Sequence, residues 1–384
     1  MTSALVVMQM ALSLVLLIGA GLFLQNLRGA MSVKKGFESD NLAMAQLDPS
    51  LIGYDEVRSK AFYDQLVERV GALPGVRSVG LGQAVPLGFQ SMQRGVSVPG
   101  YEPGPDERMS IDYNIVAPGY FEAMKIEMKA GRTFDSRDDE AGAPVLIINE
   151  ALANRFFPDG SALGSLISAA GEEREIVGIT ETGKYGSLGE APLGFMYFSQ
   201  PQLFRADMTI HVRTAGDPSA LLLPLRAVIE ALEPNMPTFS IQTMDSHLGL
   251  ALLPARVGGL TLGAFGVLGL ILAAVGIYGV MAYSVAQRKR EISIRVALGA
   301  NQGSVLGMVV KQGMTMAGIG VGVGLVISLG TASLVKSLLY TGEGIDLTTF
   351  MLVPTVLALV AFLATYIPAR SAAKMEPMRV LRTD

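Results

Sequence analysis

Residues 258–300 decide the fold; they read GGLTLGAFGVLGLILAAVGIYGVMAYSVAQRKREISIRVALGA. Their first part, Gly258 to Ala286, has no charged residue and is longer than the roughly 20 residues that a helix needs to cross a bilayer. Their second part, Arg288 to Ala300, is basic and half apolar. A basic stretch directly after an apolar run is typical of the cytoplasmic end of a membrane helix. The sequence therefore predicts a membrane protein with a cytoplasmic segment at residues 287–304.

Three further apolar runs lie at Ala4 to Leu24, Gly313 to Val335 and Phe350 to Ile367. Together with Gly258 to Ala286 they predict four transmembrane helices, of which the first is assigned to residues 1–27. No run has a charged residue at its centre, which argues against an ion or proton pathway through the bilayer.

Residues 28–255 have the composition of a globular domain. By count, residues 29–255 carry 18 basic and 29 acidic side chains, a difference of −11, although the whole chain is only −4. The pattern predicts a helix from Tyr63 to Val70 and a strand from Val145 to Ile148. The predicted fold is an α-helical membrane protein with four transmembrane helices and one large mixed α/β (α+β) extracytoplasmic domain inserted between helices 1 and 2.

The orientation follows from where the basic residues lie. They are concentrated after the second and fourth runs, whereas the link between the third and fourth runs carries Glu343 and Asp346 and no basic residue. The positive-inside rule then places residues 287–304 and the C-terminus in the cytoplasm and the inserted domain outside. The basic residues after the first run, Arg28, Lys34 and Lys35, would by the same rule place the inserted domain in the cytoplasm. Long domains, however, translocate largely regardless of charge. The expected location is a membrane that the chain crosses several times.

Residues Gly178 to Tyr185, GITETGKY, nearly match a phosphate-binding P-loop. A P-loop needs a Ser or Thr at the last position to reach Mg²⁺, and Tyr185 stands there instead. A strand followed by a turn is the preferred interpretation.

Other candidate chemistry is weak. His211 and His247 are the only histidines, and His211 lies in an alternating strand pattern, so we predict a structural histidine and no metal site. The acidic group Asp135, Asp138, Asp139 and Glu140 is interpreted as a solvated loop. The sequence has no Ser-His-Asp set that stands out and no GxSxG elbow. It also has no cluster of basic residues of the kind that binds nucleic acid. The prediction is a protein that is not an enzyme, with no catalytic, metal-binding or cofactor-binding residue.

Small residues recur in the apolar runs. In the third run, four glycines form two overlapping registers with four-residue spacing, at Gly318, Gly320, Gly322 and Gly324. Such spacing lets helix backbones approach closely, so we predict a helix-packing face there. Similar small residues in the first two runs, among them Gly266 and Gly269, suggest dimerisation as a hypothesis.

Three stretches carry a resemblance to a known family. They are Val275 to Val280 (VGIYGV), Gln287 to Ala300 (QRKREISIRVALGA) and Ile367 to Arg382 (IPARSAAKMEPMRVLR). They resemble the C-terminal module of FtsX/MacB-type ABC transporter permeases. Short stretches such as Ala117-Pro-Gly-Tyr-Phe121 are similar to the MacB-like periplasmic core domain, assigned to residues 28–255. The chain most resembles one half of the duplicated MacB-like permeases of acidobacteria.

The resemblance implies a permease subunit of an ABC-type transporter that works by mechanotransmission. A separate cytosolic ABC ATPase would use the ATP and dock on the segment that matches the family's coupling segment, whose residues are Arg288, Glu291, Arg295, Leu298, Gly299 and Ala300. The permease would lie in a bacterial inner membrane and export or extract an unknown substrate. Implied partners are a homodimer mate or second permease half, membrane lipid and a periplasmic adaptor.

Two alternatives stay open at this point. One is a non-transporting FtsX-like scaffold that signals to periplasmic partners, and the other is a remnant of a duplicated permease.

The family's domain layout also implies that the inserted domain has two lobes. One lobe is built from residues before about Ser97 and after about Glu175, and the other is inserted between them. The FtsX-like module is assigned to residues 256–384.

Overall fold

A computed structural model describes residues 2–88, 92–287, 302–336 and 347–373. The chain divides into two compact units. The first, which we call the membrane unit, comprises Met1–Met31 and Leu253–Asp384. The second, Ser32–Leu252, is the inserted domain.

The elements are numbered in chain order. The helices are α1 (Thr2–Ser32), α2 (Glu56–Gly71), α3 (Tyr120–Met124), α4 (Glu150–Phe156), α5 (Leu222–Leu232), α6 (Met244–Ala251), α7 (Leu253–Gln287), α8 (Gln302–Lys336) and α9 (Leu347–Ala373). The strands are β1 (Leu42–Leu47), β2 (Val76–Gly82), β3 (Gln93–Ser97), β4 (Ser110–Val116), β5 (Met128–Gly131), β6 (Val145–Asn149), β7 (Leu166–Ala169), β8 (Glu172–Thr180), β9 (Phe195–Ser199), β10 (Met208–Thr214) and β11 (Thr238–Thr243).

Among the described residues of the membrane unit, four helices are long and apolar enough to cross a bilayer. The candidate spans are Ala4–Gln25, Arg256–Gln287, Leu306–Thr331 and Leu347–Ser371. The prediction of four transmembrane helices is thereby confirmed. Helix α1 buries every fourth residue, namely Val6, Met10, Leu14, Ile18 and Leu22. This spacing lines one face of a helix, and that face shares a core cluster with side chains of α7, α8 and α9.

The described residues of the inserted domain form a sheet of 11 strands with two parts. Strands β11, β1, β10 and β2 form an antiparallel sheet, which we call the open half. Strands β4, β3, β7, β8, β6 and β9 follow one another in a ring, which closes because β9 pairs in parallel with β4. We call this ring the barrel half. One bridge, Gly82 to Val116, joins β2 to β4 and so connects the halves.

Each half has its own hydrophobic core. Helices α2 and α5 cover the open half, where Phe62, Leu66 and Leu225 pack in one cluster with Ile210. The barrel half encloses a second cluster, which includes Ile115, Leu146, Ile148, Ile176 and Phe198. The inserted domain is therefore mixed α/β, as predicted.

Two local predictions are confirmed and one boundary is wrong. The predicted helix from Tyr63 to Val70 lies inside α2, whose N-cap Asp55 accepts a hydrogen bond from the Arg58 amide. The predicted strand from Val145 is β6. The predicted return to the first lobe at Glu175 falls inside β8, which pairs with β6 and β7. The return comes later, after β9, because β9 is needed to close the ring.

Candidate functional site: the segment that joins helix 1 to the inserted domain

The predicted ATPase-coupling residues lie outside the described part of the chain. Arg288, Glu291, Arg295, Leu298, Gly299 and Ala300 fall between the end of α7 at Gln287 and the start of α8 at Gln302. Their role stays a prediction.

The structure separates the predicted glycine face of α8 into two registers. A Cβ atom added at Gly320 would lie 2.7 Å from Met10 Cβ, and one added at Gly324 would lie 2.8 Å from a methyl group of Leu14. Added Cβ atoms at Gly318 and Gly322 would meet no atom within 4 Å. Gly320 and Gly324 therefore lie directly against α1, and the other two glycines do not.

Helix α7 presents a second glycine face to α1. A Cβ atom at Gly266 would lie 2.7 Å from Leu17, and one at Gly269 would lie 2.6 Å from the Ser13 hydroxyl. These glycines, which the sequence suggested as dimer contacts, are covered by helix α1 of the same chain. Helix α1 is thus packed closely between α7 and α8.

The chain leaves α1 through a short stretch, residues 33–41, which we call the connecting segment. Gly36 has a left-handed backbone (φ 76°), and a Cβ atom there would collide with the backbone of Gly183. The Lys184 amide donates to the Lys35 carbonyl over 2.8 Å. Only glycine permits both this conformation and this approach. The connecting segment is therefore attached to the loop that follows β8.

Arg213 holds the far end of the connecting segment. This β10 side chain is only 3% exposed, and its guanidinium donates to three main-chain carbonyls: Ala123 over 2.5 Å, Asp40 over 2.8 Å and Glu38 over 2.7 Å. Burial lowers the pKa of Arg213. Since buried charges need full hydrogen bonding, this arrangement ties the connecting segment to β10 and α3 together.

Ion pairs on the surface add to the attachment. Lys34 pairs with Glu181 at 2.5 Å, and Lys125 pairs with Glu38. The hydrogen bond from Lys125 lowers the pKa of Glu38. Lys34 is 76% exposed, and exposed pairs contribute little to stability. Gly36 and Arg213 therefore carry most of the attachment.

The chain leaves the inserted domain through α6, which is also anchored. Thr243 caps α6 by accepting from the Ser246 amide at 3.2 Å. His247 in α6 lies with Nε2 3.2 Å from the Pro86 carbonyl, and burial lowers the pKa of His247. Both chain connections of the inserted domain thus end on defined backbone contacts.

The candidate chemistry considered in the sequence has structural explanations. The P-loop-like stretch is the end of strand β8, which confirms the predicted strand, and an irregular loop follows it in place of the predicted turn. His211 is fully buried in β10, and its Nδ1 lies 3.1 Å from the Thr209 carbonyl. Within the described ranges no group of three or more His, Asp or Glu side chains could hold a metal ion.

The prediction of a solvated acidic loop is wrong for Asp138. Its carboxylate is buried and accepts two hydrogen bonds from Arg132, over 2.6 and 2.7 Å. Asp135, in contrast, is paired at the surface with Arg137, which lowers the pKa of Asp135. The sequence missed this pair, in which Asp138 is buried and Arg132 is half-buried, because the two residues meet only after the turn between them has formed.

The four spans and the single large domain after the first of them define a class: multi-span membrane proteins with one inserted extracytoplasmic domain. The family model of the MacB-like periplasmic core domain matches residues 3–223. The model of the FtsX-like permease C-terminal domain matches residues 263–377. The chain therefore belongs to the MacB/FtsX-type family of ABC transporter permeases, and it is an inner-membrane protein with a periplasmic domain.

Individual relatives agree with this assignment. The chain is 25% identical over 290 residues to "Uncharacterized ABC transporter permease YknZ" of Bacillus subtilis, which covers 73% of this chain and 72% of that protein. It is 25% identical over 286 residues to "Macrolide export ATP-binding/permease protein MacB" of Chromobacterium violaceum. That match covers 72% of this chain but only 44% of the relative, so the chain spans less than half of that protein.

A solved structure is also similar. The periplasmic region of MacB from Actinobacillus actinomycetemcomitans matches with a TM-score of 0.39 and 13% sequence identity. The match covers 58% of this chain and 97% of that structure.

Proposed function

We propose that this chain is the permease subunit of an ABC-type transporter that works by mechanotransmission. A separate cytosolic ATPase binds and hydrolyses ATP, and the permease relays the resulting motion to the inserted domain on the periplasmic side. The relay serves export or extraction of a substrate whose chemistry is still to be found. The chain itself supplies no catalytic residue in this scheme.

The observation that carries the proposal is the attachment of the connecting segment. Helix α1 packs closely against α7 and α8 through glycines such as Gly266 and Gly320, so a displacement of those helices displaces α1 as well. The chain then runs from α1 directly into a segment fixed by Gly36 and Arg213. Tightly packed elements transmit strain because protein interiors are hardly compressible.

The described spans give no support to a path for solutes through the bilayer. Their charged residues are Arg256, Lys311 and Arg370, and each lies within six residues of an end of its candidate span. Charged groups that mark an intramembrane pathway lie deeper. A mechanism in which motion of the helices, and not a solute, is passed across the membrane is consistent with such spans.

The proposed orientation places the C-terminus and residues 287–304 in the cytoplasm. Arg288, Glu291, Arg295 and Leu298 to Ala300 are then the contact with the ATPase. A second copy of this chain or a second permease half completes the complex, as ABC transporters pair two membrane subunits, and a periplasmic adaptor is a further partner. Relatives named for macrolide export make amphipathic compounds a substrate class to screen.

The first test is co-purification from native membranes in detergent. Wild-type protein should bring down an ABC ATPase, and Glu291→Arg should lose it, because reversal of the charge disrupts the docking segment. Glu173→Arg, at an exposed position of the inserted domain, is the matched control and should behave as wild type. Failure of wild-type protein to recover any ATPase would contradict the proposal.

The second test separates docking from relay. Gly36→Ala should keep the ATPase bound and active but reduce transport, because a Cβ atom would push the connecting segment off Gly183. Gly53→Ala is the matched control: Gly53 has nearly the same backbone (φ 79°) but no atom within 4 Å of an added Cβ. Equal transport by the two variants would exclude the connecting segment from the relay.

A further inference from the structure

A cleft of about 690 Å³ lies between the two halves of the inserted domain. Helix α2 of the open half forms one wall, with Asp64, Val67 and Glu68 in the lining. The other wall belongs to the barrel half and consists of the loop between β5 and β6 and of Gln200, which directly follows β9. Ligand sites occupy about 300–1,000 Å³ and often lie where two parts of a protein meet. The cleft has the size and the position of such a site.

The base of the cleft is apolar. Leu81 of β2 and Ala117, which follows β4, flank the bridge that joins the two halves, and the Ala117 amide donates to the Leu81 carbonyl over 3.0 Å. Both residues line the cleft, together with Pro118. The base can therefore bury apolar atoms of a ligand.

Gln200 is a buried polar group that the fold leaves without a partner. Its backbone amide donates to the Val116 carbonyl over 2.9 Å, which fixes the position of the residue in the wall. The side chain is only 7% exposed, yet its amide group has no hydrogen-bond partner among the described residues. Buried polar groups are normally paired, so this amide is available to a ligand in the cleft. A peptide group, with one donor and one acceptor, complements both ends of a glutamine amide.

Two carboxylates of the opposite wall also lack a partner. Asp64 and Glu68 are exposed, lie four positions apart on α2, and form no ion pair or side-chain hydrogen bond among the described residues. Like charges at this spacing destabilise a helix. Lys60, the basic side chain of the described lining, is already paired with Glu56 at 2.7 Å and with Glu140 at 3.2 Å. The charge that the cleft offers to a ligand is therefore negative.

From these features we infer that the cleft binds a short basic peptide in an extended conformation. Two Lys or Arg side chains of the peptide pair with Asp64 and Glu68, and one of its peptide groups bonds the Gln200 amide. Every second side chain of an extended chain lies on the same face, roughly 6.6 Å apart. Residues four apart on a helix have Cβ atoms about 5–6 Å apart, so the two carboxylates match basic residues two positions apart.

The inference deepens the proposed function by naming a substrate class. In a permease, a cleft of this kind makes short basic peptides the compounds that the inserted domain takes up. That consequence rests on the proposed function, whereas binding itself does not. A bound peptide would contact both walls and so hold the open half and the barrel half together, in addition to the ion pair of Lys60 with Glu140 that already crosses the cleft.

Binding is tested by calorimetry on the full chain in dodecyl maltoside at low ionic strength, without any ATPase. The probe, acetyl-Lys-Ala-Lys-amide, should bind. The same peptide with both side-chain amines acetylated should bind at least about tenfold more weakly, because it has lost its charges. Spermidine, which has the charges but no peptide group, should also bind at least about tenfold more weakly. Equal affinity for the acetylated peptide would overturn the inference of a cation, and equal affinity for spermidine would overturn that of a peptide.

Other occupants of the cleft would give different results. A longer peptide with the same triplet at its centre should bind no more tightly, because residues beyond the cleft make no contact. A gain of about tenfold or more would assign the cleft to a segment of a partner protein. The affinity should also be independent of the permease concentration, and a decrease at higher concentration would assign the cleft to a second copy of this chain. Either result would overturn the inference.

Variants locate the site. Asp64→Asn and Glu68→Gln keep the size of two exposed side chains, and together they should weaken binding of the probe by at least about tenfold. Gln200→Leu should weaken binding of the probe but leave that of spermidine as in wild type. Glu173→Gln, exposed on the barrel half and outside the lining, is the matched control.

The double variant changes only exposed positions of α2, so it remains informative if Gln200→Leu fails to fold. Unchanged binding of the probe in the double variant, or in folded Gln200→Leu, would overturn the inference. These results do not depend on the ATPase co-purification, so a failure of the proposed function and a failure of peptide binding are told apart.

Discussion

At the scale of single residues, Arg213 is the buried side chain on which the connecting segment depends. Its three hydrogen bonds join carbonyls that lie about 90 and about 175 positions away in the sequence. No local pattern could have predicted these partners. The alternating stretch Met208 to Arg213 did predict a strand, and a charged residue in a strand buried along its whole length is the signal that could have singled out Arg213.

We expect Arg213→Met to loosen the connecting segment, because the carbonyls of Glu38, Asp40 and Ala123 lose a buried charged donor. The expected cost is about 3 kcal/mol. Hydrogen exchange of the full chain should then show roughly 100-fold faster exchange in residues 38–41. Arg77→Met, at an exposed position of β2, is the control. Unchanged protection at residues 38–41 in Arg213→Met would contradict the assigned role.

His211 predicts a pH dependence of stability. Burial, together with the charge of His247, lowers the pKa of His211 from 6.5 to about 4. The Nε2 atom of His211 has no hydrogen-bond partner among the described residues, and the ring packs edge to face on Tyr120. Between these two pKa values the unfolded chain binds a proton at His211 and the folded chain does not. Stability should therefore be full above pH 6.5 and fall by up to about 3 kcal/mol as the pH drops to 4.

The measurement is the apparent midpoint of thermal unfolding of the purified full chain between pH 7.5 and 4. His211→Gln should flatten the part of this profile between pH 6.5 and 4, although its stability at pH 7.5 can be lower. A profile for His211→Gln that runs parallel to that of wild type would show that His211 does not cause the dependence.

At the scale of elements, the two glycine registers of α8 should respond to alanine with opposite sign. Gly322→Ala should be neutral or stabilising by up to about 1 kcal/mol, because alanine favours the helix and no atom lies within 4 Å. Gly320→Ala should destabilise by about 1–3 kcal/mol, because its Cβ would lie 2.7 Å from Met10 Cβ. Midpoints of thermal unfolding in detergent provide the comparison. Equal shifts for the two variants would mean that α1 does not pack on Gly320.

The elements differ in how far the sequence predicts them. Hydropathy is a local property, so the spans such as Ala4–Gln25 follow directly from composition. Strand pairing is not local. The parallel pairing of β9 with β4, which closes the barrel half, joins residues about 80 positions apart. For that reason the lobe boundary predicted at Glu175 was wrong, although β6 and α2 were recognised.

At the scale of the whole molecule, family membership follows from motifs that the sequence shows in order, and both family models match. The resemblance to half of a duplicated permease stays a prediction. The coupling residues around Glu291 were identified by resemblance alone, and they lie outside the described residues. The attachment of the connecting segment, in contrast, became visible only in the folded domain, because Gly36 and Gly183 lie far apart in the sequence.

The central claim is that ATP-driven motion reaches the inserted domain through the connecting segment. Since the chain has no cysteine, Lys34→Cys gives a unique site for an environment-sensitive fluorophore, at a side chain that is 76% exposed. The labelled permease is reconstituted with its co-purified ATPase, and emission is recorded before and after ATP and vanadate are added. We predict a change in emission that is lost in Glu291→Arg and reduced in Gly36→Ala. Unchanged emission while the ATPase is bound and hydrolysing ATP would contradict the claim.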